Sequence, residues 1–126
     1  MSHRHAERLR NERGQAAVEF ALALPLIVVV ILAVAQLGVS VRNDVAVALA
    51  AREAARAAAV SAHSNISAEA AARRAVNLPM SVSVIETADS VTATVSYVDN
   101  TDIAIIGAAI GPITHTASVT MSIEPP

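Results

Sequence analysis

The sequence predicts an α+β fold: a long N-terminal helix, membrane-spanning in its first half, then a short helix and a small three-stranded antiparallel sheet. Three observations predict it. Residues 16–35 form an apolar run interrupted by one charge, and residues 41–60 are dense in alanine without proline or glycine. Beyond residue 80 the pattern changes from helical spacing to strict alternation. The organisation that follows is a basic leader over residues 1–14, a long helix over 15–60 and a small α+β extracytoplasmic domain over 61–126.

The 20 residues from Ala16 to Ala35 extend about 30 Å as a helix, the thickness of a bilayer's hydrocarbon core. A chain of 126 residues is too small to wrap a fully apolar helix of that length. Arg4, Arg8, Arg10 and Arg13 precede the run, whereas only Arg42, offset by Asp44, follows it closely. The positive-inside rule then places the N-terminus in the cytoplasm and the remainder outside. Pro25 would cost about 3 kcal/mol in a soluble helix interior. Within a membrane it reads as a kink and not as an end.

In the alanine-dense stretch, Arg52 and Arg56 are four apart and Glu53 lies three before Arg56, so that pair can meet on one helix face, and Arg52, Glu53 and Arg56 are the candidate helix-packing contacts. The opposite side is nearly all alanine and valine. Such a face suits close approach of a neighbouring helix or packing on the chain's own domain, and the sequence leaves both open. Residues 61–67 (S-A-H-S-N-I-S) compete for backbone hydrogen bonds and end the helix. Asn65 or Ser67 is placed to cap a short helix over residues 68–76, stopped by Asn77-Leu78-Pro79. Alternation then predicts strands over residues 81–86, 90–98 and 116–123, the first two joined as a hairpin through Thr87-Ala88-Asp89. Val91, Ala93, Val95 and Tyr97 share one face of the middle strand and Thr92, Thr94, Ser96 and Val98 the other; the sheet has one face to bury, and the alanine-rich helix is its obvious cover. The apolar segment Ile103 to Ile110 is too short to span a bilayer. An extra strand, a turn of helix over the sheet and an exposed contact patch all remain open for it.

Composition excludes several classes. All nine cations are arginines, nine of the eleven acids fall beyond the leader against five of the arginines, and aromatics amount to 2%. An acidic remainder of this kind cannot neutralise phosphates or stack bases, so no nucleic acid is expected as a partner. The absence of cysteine removes disulfides, thiolate metal sites and cysteine nucleophiles. No catalytic or phosphate-binding motif is present, so the expectation is a protein that is not an enzyme and takes no cofactor or metal. His3 and His5 are too few for a metal site, and His115, alone between two threonines, reads as a strand-edge side chain. Asp99, Asn100 and Asp102 lack the spacing of a calcium loop and read as a polar turn.

Glu19 is the one charge inside the apolar run. A carboxylate within a membrane helix costs roughly 2.5–3.5 kcal/mol, so its default reading is functional. It stands five residues after Gly14, which closes the arginine-rich leader. The stretch G-Q-A-A-V-E-F-A-L over residues 14–22, R-E-A-A-R over residues 52–56 and the strand-rich C-terminal part resemble the TadE-like family of minor pilins and pseudopilins. These are components of the tight-adherence branch of type IV pili. The resemblance implies that a membrane-embedded aspartic prepilin peptidase cuts between Gly14 and Gln15 on the cytoplasmic side, making Glu19 the fifth residue of the mature subunit. It also implies other pilin subunits and membrane assembly machinery as partners, besides the lipid bilayer. The implied location is the cytoplasmic membrane, as a single-pass protein, with an extracellular pilus as the destination after assembly. In related pilins the glutamate attracts the new N-terminal amine of a neighbouring subunit and sets axial register. Phe20 departs from the tyrosine usual in the short major pilins of this branch, and those lack a domain as large as residues 61–126. Both differences favour a minor subunit.

Two other readings stay open. Ala33-Val34-Ala35 fits an ordinary signal-peptide cleavage site before Gln36. An uncleaved single-span protein with a partner-binding external domain fits the same pattern of hydropathy.

Overall fold

The computed structural model describes residues 2–123, and side chains from Glu7 onward apart from that of Leu9. The His3 and His5 side chains lie outside the described residues. Helix α1 runs unbroken from Ser2 to Ala59, 58 residues or about 87 Å, through both the leader and Pro25. After a serine-bounded turn come α2 (Ser64–Ala75), β1 (Ser81–Glu86), β2 (Ser90–Asp99), the short α3 (Ile106–Ile110) and β3 (Ile113–Ser122). The sheet has order β1-β2-β3, antiparallel throughout. The predicted fold class therefore holds, and the segment 103–110 resolves as a turn of helix.

Two boundaries differ from expectation. Helix α2 begins at Ser64, ahead of the anticipated caps, and His63 at its N-cap makes no side-chain capping bond. The serines close the turn instead: Ser61 Oγ lies 2.7 Å from Ser67 Oγ and accepts from the His63 amide at 3.1 Å. Strand β3 starts at Ile113, three residues early, and this shift brings His115 inside the sheet.

The core lies between the C-terminal half of α1, α2 and one face of the sheet. On α1, Val47, Ala50, Ala51, Ala54, Ala55 and Ala58 are buried at spacings of three and four, the period of one helix face. Ala68 and Ala72 of α2 join them, and Val91, Ala93 and Val95 supply the sheet side. Register sets the rows: Val84–Ala93–Val119, Val82–Val95–Ala117 and Tyr97–His115. The alanine face of α1 thus packs on its own domain. On the opposite face of the sheet, hydroxyls pair across strands, Thr92 with Thr120 and Thr94 with Ser118, each at 2.8 Å.

No fully buried side chain in this core exceeds valine in size. The stabilising term is then close backbone approach, and added volume is tolerated poorly. Ala54→Leu is expected to destabilise the folded domain by about 1–3 kcal/mol through overpacking. Denaturant unfolding of the detergent-solubilised chain, followed by circular dichroism, checks this.

Candidate functional site: the leader junction and the membrane-proximal polar cluster

Residues 11–28 of α1 are all exposed, including Val18, Phe20, Leu22 and Leu26 at 59–76%. This is the one helix, among the described residues, long and apolar enough to cross a membrane, and its most apolar stretch is not covered by the rest of the chain. Covering an apolar helix surface of this length requires another apolar phase.

Gly14 lies within α1 with open space where a Cβ would stand. One turn on, Gln15 Nε2 donates to Glu19 Oε1 at 3.3 Å. Glu19 and Gln15 therefore share a helix face, with the carboxylate turned back toward the leader junction. The polar pair sits at the border of the apolar run, where a charged head can reach the interface.

The other proposed contact residues separate. Arg52 and Arg56 are exposed while Glu53 is half-buried. Among the described residues the ion pairs within 4 Å are Arg73–Glu69 and Asp44–His115, so Glu53 and Arg56 share a face without closing a bridge. Arg56 instead lines an open depression of about 440 Å³ with Ala59, Val60, Ser61, Met121 and Ser122, at the far end of α1.

Sequence reasoning missed a polar cluster at the end of the domain nearest the apolar run. Asn43 of α1 is buried and donates from Nδ2 to Asp99 Oδ2 at 3.0 Å. Asp99, also buried, accepts from the Thr101 amide at 3.0 Å, and Thr101 Oγ1 donates to the Gly111 carbonyl at 2.8 Å. His115 is 3% exposed, stacks on Tyr97 and places Nδ1 2.6 Å from Asp44 Oδ1. A carboxylate only accepts, so Nδ1 carries the hydrogen. His115 is therefore an inward strap between sheet and helix, not a strand-edge side chain. Asp99 is a buried tie to α1 and only Asn100 and Asp102 remain an exposed turn. The signal was parity: position 115 falls on the same side of β3 as Ala117, Val119 and Met121 once the strand is extended backward.

These ties hold α1 rigidly against the domain from Asn43 onward, and burial continues N-terminally to Gln36, which is 5% exposed, and to the half-buried Ala33 and Leu32. The junction and the cluster thus stand on one continuous helix, with the apolar run between them.

Residues 14–56 match the family model described as TadE-like protein. This segment is TadE-like. It begins on Gly14, includes Glu19 and the whole apolar run, and ends on Arg56 within the alanine-rich core face. The C-terminal sheet lies beyond the TadE-like match. No curated protein and no solved structure matches the chain.

Proposed function

We propose that the chain is a minor pilin or pseudopilin, processed by a prepilin peptidase between Gly14 and Gln15, that helps assemble a tight-adherence type IV pilus or related secretion filament. The observation that carries this reading is the coincidence at one point of the chain. The TadE-like match begins at Gly14, on an exposed helical site with free space around it, five residues before the only charge of the apolar run. In this reading residues 16–35 anchor the subunit in the cytoplasmic membrane, with the leader inside and the domain outside. The role is non-enzymatic, and the partners are the peptidase, other pilin subunits, the assembly machinery and the bilayer.

Cleavage would expose a cationic amine on Gln15, one helical turn from Glu19. Pairing opposite charges that hydrocarbon penalises separately gives neighbouring subunits a preferred axial offset as they leave the bilayer. The apolar surface continues past the run along exposed Leu37, Val41, Val45 and Leu49, a stripe on which another pilin helix would pack. The burial of Gln36 weighs against a signal-peptide cut after Ala35, since that cut would sever α1 where the domain covers it.

Glu19→Ala tests the register role. The variant is expected to insert into the membrane as well as the parent, because it removes a charge from the run. Filament assembly in cells is expected to fall strongly. Unchanged filaments with Glu19→Ala would end the register role.

A further inference from the structure

Between β2 and β3 the chain forms a lobe, residues 101–112, whose ends are joined by the bond from Thr101 Oγ1 to the Gly111 carbonyl. From Ile103 to Thr114 it carries no charged residue. Ile106 is buried and anchors it, but Ile105 and Ile110 are 57% and 54% exposed, and Ala108 and Ala109 are exposed beside them. Part of its backbone is paired internally: the amides of Ile106, Gly107, Ala109 and Gly111 donate to the carbonyls of Ala104, Ile103, Ile105 and Gly107.

The exposed Ile105 is held in place by unusual backbone. Its φ of 71° is rare for a β-branched residue, and it centres a tight turn closed by the 2.8 Å bond from the Ile106 amide to the Ala104 carbonyl. Gly107 packs so closely on Thr101 that a Cβ would meet its carbonyl oxygen at 2.1 Å. Two aliphatic side chains are thus presented outward by a closed, tightly packed loop.

The height of the lobe is fixed by α1. Asn43, eight residues or about 12 Å beyond Ala35 along α1, holds Asp99, and Asp99 holds Thr101. The lobe's helix α3 packs on α1. The sheet ends level with Asn43 and Asp44, and burial of the same α1 face runs on to Gln36, Ala33 and Leu32. The lobe is the connection that leaves the sheet at this end. It therefore overlaps the end of the apolar run, within the headgroup layer that flanks the hydrocarbon core.

We infer that the 101–112 lobe is a second membrane contact, with Ile105 and Ile110 dipping into the outer leaflet of the bilayer that α1 crosses. It rests on the anchor reading above. The lobe would brace the domain against the membrane surface and fix the tilt at which it stands before assembly. The occupant is lipid and not a partner protein, because the apolar patch is continuous in height with the lipid-facing surface of α1. Burial of exposed aliphatic side chains in the interface is favourable in proportion to area.

The chain has no cysteine, so single cysteines label cleanly. Ile110→Cys, Ala88→Cys at the distal hairpin turn and Ile27→Cys in the apolar run are each labelled with bimane in the full chain. One copy is placed per nanodisc of phosphatidylethanolamine and phosphatidylglycerol, with a fraction of lipid carrying a nitroxide high on the acyl chain. Quenching at residue 110 is expected to approach that at residue 27 and to exceed that at residue 88 severalfold. Quenching at 110 equal to that at 88, with 27 strongly quenched, overturns the lobe contact and leaves the anchor intact. An unquenched residue 27 overturns both. In separate nanodiscs that hold two copies, quenching at 110 by a nitroxide-labelled second copy but not by the labelled lipid assigns the patch to subunit contact and also overturns the inference.

Discussion

Gly14→Leu is expected to leave the protein as an uncut precursor in the membrane. The side chain enters open space, so the substitution does not collide with the fold. Replacing glycine inside a helix by a good helix former removes a penalty of about 1 kcal/mol, so lost processing cannot be attributed to a weakened helix. In the proposed processing, what changes is the shape offered to the peptidase, where a side chain at residue 14 would obstruct the cleft. Immunoblotting of membranes should show one band at the precursor mass, against a shorter mature band for the parent. Because Gln15 would then keep its peptide bond, no amine is released to meet Glu19, and filaments should be lost with the cleavage. A normally processed Gly14→Leu protein would move the cut away from this junction.

Asp99→Ala is expected to destabilise the domain strongly. It removes a buried carboxylate that satisfies two donors, the Asn43 amide group and the Thr101 backbone. Stranding two buried donors costs about 2–4 kcal/mol, a large share of the stability of a small domain. The loss also frees the 101–112 lobe from α1, so hydrogen exchange should quicken at Gly107 and Gly111 more than in β2. Asp99→Asn keeps an acceptor oxygen and is expected to lose much less. A melting temperature for Asp99→Ala equal to the parent would mean that the tie between Asn43 and the lobe contributes little.

The elements legible in the sequence were those with a strong period. The apolar run, the alanine-rich extension and the hairpin through Thr87-Ala88-Asp89 each follow from spacing alone, and the strand parity of Val91, Ala93 and Val95 matches their burial. Element ends were less legible. The start of α2 depended on Ser61 reaching Ser67 across a turn, a contact between residues that compete for several backbone partners. The polar cluster was illegible for a different reason. Asn43 and Asp99 are 56 residues apart, and Asp44 and His115 are 71 apart, so nothing local marks them as partners. The need for glycine at two positions was illegible in the same way: Gly107 is required by the Thr101 carbonyl and Gly111 by its φ of 69°. At the leader junction the opposite holds. Gly14, Gln15 and Glu19 lie within six residues, and the family match starts on the first of them.

The most direct test is the intact mass and N-terminal sequence of the protein isolated from its native membrane. The account predicts a chain beginning at Gln15. A chain beginning at Gln36 would make the apolar run a discarded signal, and one beginning at Met1 or Ser2 would make it a permanent anchor; either result would contradict prepilin-type processing.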